Sequence, residues 1–485
     1  MIGEAVRRVV VVGGGLTGWS AAAALRRRLP QLDVAIVPVA PPADALADRM
    51  PATLPSILAF YGDLGLAEAD AVARTGSGFR LGTRFEDWVE GLPDYVHAYG
   101  SHGEPVGTAS FHQHWVRAAR GGAAEPFDAF SAAATLGREG RFVPPEGGPL
   151  GGFEHGLFID PPAHAAMLRA FARHLGVREV AGELHGITMR EDGFVAAIET
   201  NGGTIEADLF VDCTGPAARL RGALGGEWLD WREWLRCDRL MIAEQPPVPA
   251  AAPLDEAIAL PFGWRWRVEG LAQTSIGIAY ASDHATDDQA AAALGQPGEV
   301  VALSAGSFAQ PWRGNVVAIG DAATRVEPLE WTNLHLAHSA IDRLVTMMPG
   351  RDCAAVEVAE FNRQGAAEAM RVRDFLALHY LTARRPEPFW QPATPPPSLA
   401  HTLGQFAERG RLPHYEEETF ARDSWLAVLL GQGVLPRRTD PLIEAVPPGP
   451  VAAGMARHRE AILAAARRAP THAAFVQAFQ RQVTR

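Results

Sequence analysis

Cysteine is scarce in this chain of 485 residues, which contains only Cys213, Cys237 and Cys353. The three are widely spaced and form no C-x-x-C pair, so the sequence predicts neither a disulfide scaffold nor a zinc site, and it favours a reducing compartment. His112 and His114 come nearest to a metal motif. Because no third ligand is spaced with them, we predict a packed pair and no metal site.

Long apolar runs and basic blocks are missing as well. No apolar stretch approaches the roughly 18 residues of a membrane-spanning helix, and we expect no signal peptide because the N-terminus leads directly into a strand. The net charge of −12 argues against nucleic acid or an anionic membrane as a partner. The hydrophobic share of 47% is ordinary for a globular protein, and we predict a cytoplasmic location.

The start of the chain carries a phosphate-binding pattern. The sequence predicts an apolar strand over Val6–Val12 and an alanine-rich helix over Trp19–Leu29. Between them, Gly13, Gly15 and Gly18 form G-x-G-x-x-G in the setting that this motif requires, after a strand and at a helix start. Such glycines let the backbone approach a pyrophosphate that rests on the helix dipole. The predicted cofactor contacts of this motif are Gly13, Gly15, Leu16, Thr17 and Gly18.

Two further strand-to-glycine turns follow later in the chain. Ala207–Gly215 and Val316–Gly320 both have the pattern of a buried strand that ends in glycine. A nicotinamide enzyme usually needs only the first turn, whereas three such turns are typical of FAD proteins with two dinucleotide-binding domains. We therefore predict Gly215, Gly320 and Asp321 as further cofactor contacts, with Asp321 accepting hydrogen bonds from the ribityl chain.

One position departs from the dinucleotide pattern. The second predicted strand, Asp33–Val37, should end in an acidic residue that binds the ribose hydroxyls, but Pro38 stands there. This departure weakens the prediction of tight adenosine binding.

A helix is predicted after the third turn, because apolar residues recur at helical spacing from Leu334 to Leu344. Thr332 or Asn333 would cap its start and Gly350 would end it. Free backbone amides at that start, next to Glu330, suit an anion or the edge of a flavin ring.

The remainder of the chain is predicted to be mainly helical, over Glu357–Tyr380, Leu399–Arg409 and Met455–Arg468, with Val446–Pro450 as a linker. Together these elements predict an α/β fold, namely the FAD-binding, two-dinucleotide-binding-domain (Rossmann-like) fold of flavoprotein monooxygenases with a helical C-terminal part. We assign residues 1–350 to an FAD-binding domain with inserted substrate-side segments. Residues 351–485 form a mainly helical C-terminal subdomain.

Three further motifs give the chain a specific resemblance. Gly263–Glu269 is similar to a G-W-x-W-x-I-P signature, Glu327–Glu330 to E-P-L-E-S-T, and Phe79–Trp88 to F-K-x-x-x-x-F-x-x-W. All three are motifs of the flavin-dependent tryptophan halogenases, and weaker similarities extend over nearly the whole chain. The sequence is thus identified as a divergent member of that family.

The resemblance implies an activity. Reduced FAD, supplied by a separate flavin reductase, and oxygen would oxidise a halide ion to hypohalous acid. The acid would then travel along an internal passage to an electron-rich, indole-like aromatic substrate, where a lysine and a glutamate assist the halogenation. The family also favours a homodimer.

Carried over residue by residue, the resemblance implies these site residues. Arg80 occupies the place of the catalytic lysine, and Glu330 matches the glutamate. Thr332 and Asn333 fall where the halide is held, although Trp331 and Asn333 replace the usual serine and glycine. The residues implied for the passage and the substrate are Trp264, Trp266, Phe111 and His112.

Arg80 decides most about the activity. A guanidinium stays charged and has no free lone pair, so it cannot carry a halogen as a lysine amine can. It could still polarise hypohalous acid by hydrogen bonding, or it could simply pair with Glu330 or another carboxylate. Three functions therefore stay open: a divergent halogenase, an FAD monooxygenase or other oxidoreductase on the same fold, and a non-catalytic flavin-binding or partner-binding relative.

Overall fold

Strands and helices alternate through much of the chain, and the last part is mainly helical. The computed structural model describes residues 4–145, 147–391 and 393–483. The α-helices of this part are α1 (Leu16–Arg28), α2 (Ser56–Leu64), α3 (Glu68–Thr75), α4 (Phe111–Arg120), α5 (Ala132–Arg138), α6 (Pro161–His174), α7 (Asp287–Leu294), α8 (Asn333–Thr346), α9 (Ala355–Thr382), α10 (Pro397–Arg409), α11 (Arg422–Gly431), α12 (Pro448–Ala466) and α13 (His472–Val483). The strands are β1 (Arg8–Val12), β2 (Asp33–Val37), β3 (Gly78–Arg80), β4 (Gly82–Glu86), β5 (Tyr95–Ala98), β6 (Gly156–Phe158), β7 (Arg178–Glu179), β8 (Leu184–Met189), β9 (Val195–Thr200), β10 (Gly203–Glu206), β11 (Leu209–Asp212), β12 (Trp228–Asp230), β13 (Arg239–Gln245), β14 (Leu254–Leu260), β15 (Gly263–Glu269), β16 (Thr274–Tyr280), β17 (Glu299–Ala302), β18 (Gly306–Phe308), β19 (Trp312–Arg313), β20 (Val316–Ala318) and β21 (Thr324–Arg325).

Contacts divide the chain into two units. The first comprises Met1–Ser77, Ile159–Asp238 and Val301–Met370. The second comprises Gly78–Phe158, Arg239–Val300 and Arg371–Arg485. The predicted division at residue 350 follows chain order, whereas these units group segments by their contacts. Most of the helical C-terminal part, from Arg371 onward, therefore shares a unit with two inserted segments, whereas residues 351–370 belong to the first unit.

The first unit contains a mostly parallel sheet, as the predicted Rossmann-like fold requires. Its strand order is β19-β20-β11-β1-β2-β7. β1 pairs in parallel with β2 and with β11, and β11 pairs in parallel with β20. Parallel neighbours have their carboxyl ends at one edge, so the turns that begin at Gly13, Gly215 and Gly320 lie side by side there. Ligands of open α/β sheets bind at this edge, and the predicted fold class is confirmed.

The second unit is built around a mostly antiparallel sheet, in the order β17-β13-β16-β15-β14-β4-β5. β15 carries the W-x-W motif and lies between β14 and β16, with antiparallel pairing on both sides. Trp264 and Trp266 are two positions apart on β15 and therefore project from the same face of the sheet. Neither of their side chains is more than 1% exposed.

Several helix boundaries differ from the prediction, and three of them are informative. α1 begins at Leu16 instead of Trp19, with Gly18 inside the helix. α8 ends with Met347 as its C-cap, before Gly350. α12 begins at Pro448, before the predicted start at Met455. Prolines are tolerated in the first turn of a helix because the N–H groups they lack would have no helical partner there. None of the helices described above combines the length and the apolar composition that crossing a bilayer requires.

Gly18 gives a stability prediction with a matched control. A Cβ at Gly18 would lie 2.0 Å from the carbonyl oxygen of Gly13, whereas a Cβ at Gly62 in α2 would meet no atom within 4 Å. We expect Gly18→Ala to lower the free energy of unfolding by about 3 kcal/mol, the upper range for overpacking. Gly62→Ala should raise it by about 0.5–1 kcal/mol through helix propensity. Urea unfolding measures both, and equal effects of the two variants would contradict the close approach at Gly18.

Candidate active site

The turn after β1 is shaped by close approaches that only glycine allows. A Cβ at Gly13 would lie 2.2 Å from the carbonyl oxygen of Cys213, which follows β11, and a Cβ at Gly15 would lie 2.4 Å from Cγ of Asp48. Because Gly18 has no side chain, α1 packs directly on the turn. The three glycines therefore seat the start of α1 against the end of the sheet, as a dinucleotide cradle requires.

Asp48 is a buried carboxylate that the sequence reading did not single out. Gly15 is the N-cap of α1 and has no side chain, and the backbone N–H of Thr17 donates instead to Asp48 Oδ1 at 2.6 Å. A carboxylate is favourable at this end of a helix dipole. Burial nevertheless raises the pKa of Asp48 to about 6, against the lowering effect of the Thr17 hydrogen bond.

Asp321 lies in the turn after β20, where the sequence places it. Its Oδ2 accepts a hydrogen bond from the N–H of Ala47 at 2.7 Å. Burial raises the pKa of Asp321 to about 8. Next to it, a Cβ at Gly320 would lie 3.0 Å from Cγ2 of Thr17. The first and third turns are thus in contact with each other.

The residues at this edge fit FAD. The cradle glycines let the start of α1 approach the sheet closely, and the second turn is tight as well, since Gly215 adopts φ = 69°, a value that favours glycine. FAD would therefore be held by the turns that begin at Gly13, Gly215 and Gly320.

Pro38 takes a structural role at the end of β2. A Cβ at Gly14 would lie 2.9 Å from the carbonyl carbon of Pro38, and the Gly14 N–H donates to the carbonyl oxygen of Val39 at 2.6 Å. The backbone after β2 thus packs directly on the glycine turn. The contact to ribose that an acidic side chain would give is not available from Pro38.

The loop before α8 is held in an unusual backbone conformation. Glu330 and Trp331 both adopt the left-handed region, with φ of 62° and 59°. Such values are rare for bulky residues and cost of order 1–3 kcal/mol each, so they indicate a functional constraint. Both side chains are buried. The loop leads into Thr332, the N-cap of α8.

Thr332 and Asn333 differ in what they can offer to an anion. Thr332 Oγ1 is buried and has no hydrogen-bond partner within the described ranges. Asn333 Nδ2 donates to the carbonyl oxygen of Val326 at 2.8 Å, whereas Asn333 Oδ1 finds no partner there. Because Nδ2 faces a carbonyl, the amide cannot turn round without losing that bond. Thr332 therefore provides a donor for an anion, and the Asn333 side chain leaves only an acceptor.

Arg80 ends β3 and is completely buried in an ion-pair network of the second unit. Its Nε lies 2.5 Å from Asp255 Oδ1, its Nη2 donates to Thr83 Oγ1 at 2.7 Å, and its Nη1 donates to Tyr99 Oη. Thr83 also donates to Asp255 Oδ2 at 2.8 Å, across the register pair that the two residues form between β4 and β14. The sequence left open whether Arg80 pairs with Glu330 or with another carboxylate. In the structure, Arg80 forms an ion pair with Asp255.

The paired tryptophans of β15 are fixed by their neighbours. Their ring centroids lie 5.7 Å apart with planes tilted by 52°. Trp264 Nε1 donates to Tyr380 Oη at 2.9 Å, and Trp266 Nε1 to Ser275 Oγ at 3.4 Å. A Cβ at Gly277 would lie 2.1 Å from Cζ2 of Trp266, so the indole occupies space that only glycine leaves on β16. Two rigid, adjacent indoles form one aromatic surface.

Phe111 and His112 open α4. His112 Nε2 lies 2.8 Å from the carbonyl oxygen of Gly410 and its Nδ1 lies 3.0 Å from Ser110 Oγ. Burial lowers the pKa of His112 to about 4, so the ring is neutral. These contacts favour a packing role, and its place in a substrate passage stays a prediction. Phe111 lines a pocket of about 320 Å³ together with residues of α12.

His114 completes the pair considered for a metal. Its Nε2 lies 3.2 Å from the carbonyl oxygen of Val106. Within the described ranges, His, Cys, Asp and Glu side chains nowhere gather in a group of three or more that could hold a metal ion.

Four partners of predicted site residues were not identified from the sequence. Asp48 contacts Thr17 in the first unit, and Thr83, Tyr99 and Asp255 contact Arg80 in the second. A local signal existed for Asp48, which directly follows the apolar run Ala45–Ala47. No local signal marks Asp255, because it meets Arg80 across 175 positions of sequence. Such a pairing depends on strand register.

The edge of the sheet and its three glycine turns define an FAD-binding flavoprotein. The model of the tryptophan halogenase family matches residues 8–448, which is 441 of the 485 residues. The chain belongs to the tryptophan halogenase family. It is therefore an FAD-dependent enzyme of the halogenating class, a class that uses FAD and a halide ion, and the family works with an aromatic substrate and a separate flavin reductase.

Individual relatives agree with this assignment. The chain is 28% identical over 418 residues to RebH, a tryptophan 7-halogenase of Lentzea aerocolonigenes, which covers 80% of this chain and 78% of RebH. Among solved structures, the flavin-dependent halogenase BrvH from Brevundimonas sp. BAL3 superposes with a TM-score of 0.92 at 35% identity. Xcc4156, a flavin-dependent halogenase from Xanthomonas campestris, superposes with a TM-score of 0.92 at 33% identity. Both alignments cover 98% of this chain and 99% of the other.

The buried pair of Arg80 and Asp255 predicts a large loss of stability. Arg80→Ala leaves a buried carboxylate without its cation, and we expect it to lower the free energy of unfolding by about 3–5 kcal/mol. Arg84 on β4 is the control, since it pairs with Glu86 and Glu256 at 2.6 Å but is 36% exposed. Arg84→Ala should cost less than about 1 kcal/mol. Urea unfolding compares the two, and similar losses would argue against a strongly coupled pair at Arg80.

The raised pKa of Asp321 predicts how stability depends on pH in flavin-free protein. Since the pKa is about 8 in the folded state, the folded protein holds a proton that the unfolded chain releases. The free energy of unfolding must then fall as pH rises from 6 to 8, by at most about 1.4 kcal/mol per pH unit. Asp321→Asn should remove most of this slope, while Asp33→Asn, at an exposed ion pair, should keep it. The free energy of unfolding is measured by urea unfolding at several pH values. If Asp321→Asn shows the same pH dependence as the unmodified protein, Asp321 is not its source.

Proposed function

We propose that the protein uses reduced FAD, oxygen and a halide ion to halogenate an electron-rich aromatic compound such as an indole. The observation that carries the proposal is the loop before α8. Its two left-handed residues, Glu330 and Trp331, are followed by Thr332, whose buried hydroxyl has no partner among the described residues. RebH is a tryptophan 7-halogenase, and tryptophan carries an indole ring.

Thr332 and the first N–H groups of α8 are the proposed halide site. A helix N-terminus offers free N–H groups and the positive end of the dipole to an anion, and the Thr332 hydroxyl adds a donor. Asn333 contributes its backbone, because its side-chain amide already donates to Val326. Its unpartnered Oδ1 would repel an anion, so we expect a weaker halide site than a glycine at this position would give.

Arg80 and Glu330 are the proposed catalytic residues. Arg80 would donate a hydrogen bond to hypohalous acid and make its halogen more electrophilic. Because the guanidinium has no free lone pair, no halogen is carried on nitrogen. Its ion pair with Asp255 would hold the donor group still, since Nε is 2.5 Å from the carboxylate. Glu330, only 1% exposed, would assist as a base or as an orienting group for the substrate.

Trp264 and Trp266 are the proposed walls of the passage. The Trp264 indole is held by its hydrogen bond to Tyr380, and the Trp266 indole fills the space that Gly277 leaves. Such rigid indoles would let a small acid pass and would keep an organic substrate away from the flavin. Phe111 and His112 remain further candidates for substrate contacts, by family resemblance.

An FAD monooxygenase on the same fold is the second candidate function. One observation favours it: the cation at position 80 is bound to Asp255, Thr83 and Tyr99, so the chemistry of a free lysine amine is missing. The cytoplasmic location and a homodimer stay predictions. A non-catalytic, partner-binding relative that has lost the flavin would show no saturable binding of FAD, which a flavin titration measures.

Product analysis with each halide tests the proposed function. The protein is supplied with NADH, a flavin reductase, FAD, oxygen and indole, together with bromide, chloride or no halide, and products are identified by mass spectrometry. We expect weak halogenation with bromide favoured, because bromide is the easier halide to oxidise. Arg80→Lys should raise the yield, since lysine restores the amine of the family.

The same assay separates the alternatives. Equal yields from the unmodified protein, Arg80→Lys and Arg80→Ala, each corrected for the folded fraction, would remove Arg80 from the reaction path. Oxygenated product without any halogenated product would instead support the monooxygenase.

A further inference from the structure

The segment from Pro42 to Met50, here called the covering segment, contacts all three glycine turns. A Cβ at Gly215 would lie 3.1 Å from Cβ of Ala45 and 3.2 Å from the ring of Pro42. The N–H of Ala47 donates to Asp321, and the carboxylate of Asp48 accepts from Thr17. Residues 45–48 are all buried. The segment therefore lies over the edge of the sheet at which the cofactor is held.

Asp48 uses part of the anion site at the start of α1. Helices that follow a G-x-G-x-x-G turn present their first N–H groups and the positive end of their dipole to a pyrophosphate. Here the N–H of Thr17 is taken by Asp48 Oδ1 at 2.6 Å, and both carboxylate oxygens lie 2.6 Å from the position of a Cβ on Gly15. The carboxylate of Asp48 thus lies where the pyrophosphate of the cofactor would bring further negative charge.

We propose that Asp48 is an intramolecular competitor of FAD, which binds tightly only when the Asp48 carboxyl is neutral. Two negative groups in a buried, low-dielectric place repel each other strongly, and the covering segment holds the carboxylate in position. The neutral carboxyl keeps the Thr17 N–H satisfied through its carbonyl oxygen and removes the repulsion.

Most of the surrounding charges are negative. Asp48 and Asp44 act on Asp321, and Asp48 and Asp212 act on the buried thiol of Cys213, whereas the cation Arg325 acts on Asp321 in the opposite direction. α8 also packs on residues 46–48. On this helix, a ring nitrogen of His335 forms a hydrogen bond with Ser56, and a ring nitrogen of His338 forms one with Ser20.

Burial sets the pH at which Asp48 would lose its proton. It raises the pKa of Asp48 to about 6 and that of Asp321 to about 8. Below pH 6 the carboxyls of Asp48 and Asp321 are both mostly neutral, and above pH 8 both are mostly charged. Affinity for FAD should therefore fall as pH rises.

Binding of oxidised FAD to the full chain tests the proposal without halide or acceptor, so its result does not depend on whether the protein halogenates. The dissociation constant is measured by quenching of flavin fluorescence from pH 5 to pH 8.5, a range in which the pyrophosphate stays ionised. For the unmodified protein we expect the constant to rise by about tenfold or more, the ratio that corresponds to one pKa unit of coupling.

Asp48→Asn is the variant that isolates the charge. Asparagine keeps an oxygen for the Thr17 N–H and nearly the same volume, and Asp48→Ser is the smaller substitute if the first variant folds poorly. At pH 8 either variant should bind FAD about tenfold more tightly than the unmodified protein. The pH dependence centred near 6 should disappear, leaving the part that belongs to Asp321.

Asp44→Asn is the matched control, since it removes the same charge from the same segment, and it should change the constant less than about threefold. The proposal is overturned if the unmodified protein binds equally well or better as pH rises. It is also overturned if Asp48→Asn and the unmodified protein bind alike at pH 8, or if Asp44→Asn gains as much as Asp48→Asn.

Discussion

The start of α1 is the constraint on which the cofactor-binding part of the first unit depends. Backbone or carboxylate atoms lie 2.0 to 2.4 Å from where a Cβ would stand on Gly13, Gly15 and Gly18. The helix can therefore approach the sheet only if these positions have no side chains. A glycine N-cap cannot cap its own helix, and a carboxylate from 31 positions further along the chain supplies the cap. The absence of side chains at this helix start leaves room both for a cofactor and for Asp48.

Much of this architecture could be predicted from the sequence, because it rests on local patterns. The strand Asp33–Val37 has the predicted bounds, and the turns at Gly13, Gly215 and Gly320 follow strands as expected. Continuous apolar runs that end in glycine are sufficient to predict buried parallel strands. The start of α12 was predicted too late, because prolines that begin a helix resemble prolines of a linker.

The candidate site was predictable only in part. Family motifs led to Arg80, Glu330 and the two tryptophans, but they say nothing about what each side chain contacts. The partner of Arg80 follows from the register of β4 on β14, which sets Thr83 opposite Asp255. Register depends on the whole sheet, so no pattern near Arg80 could have shown it. The same holds for Asn333, whose amide is engaged by a carbonyl seven positions earlier in the chain.

The contact between Trp266 and Gly277 makes two strands of the second unit depend on each other. The indole fills the volume that a side chain on β16 would need, with 2.1 Å between Cζ2 and the position of a Cβ. Position 277 therefore accepts no larger residue while the tryptophan keeps its rotamer, so a larger residue at position 277 requires a change at Trp266. Protein engineers could exploit this dependence, since a methyl group added at residue 277 would reorient the aromatic wall and leave both tryptophans in the sequence.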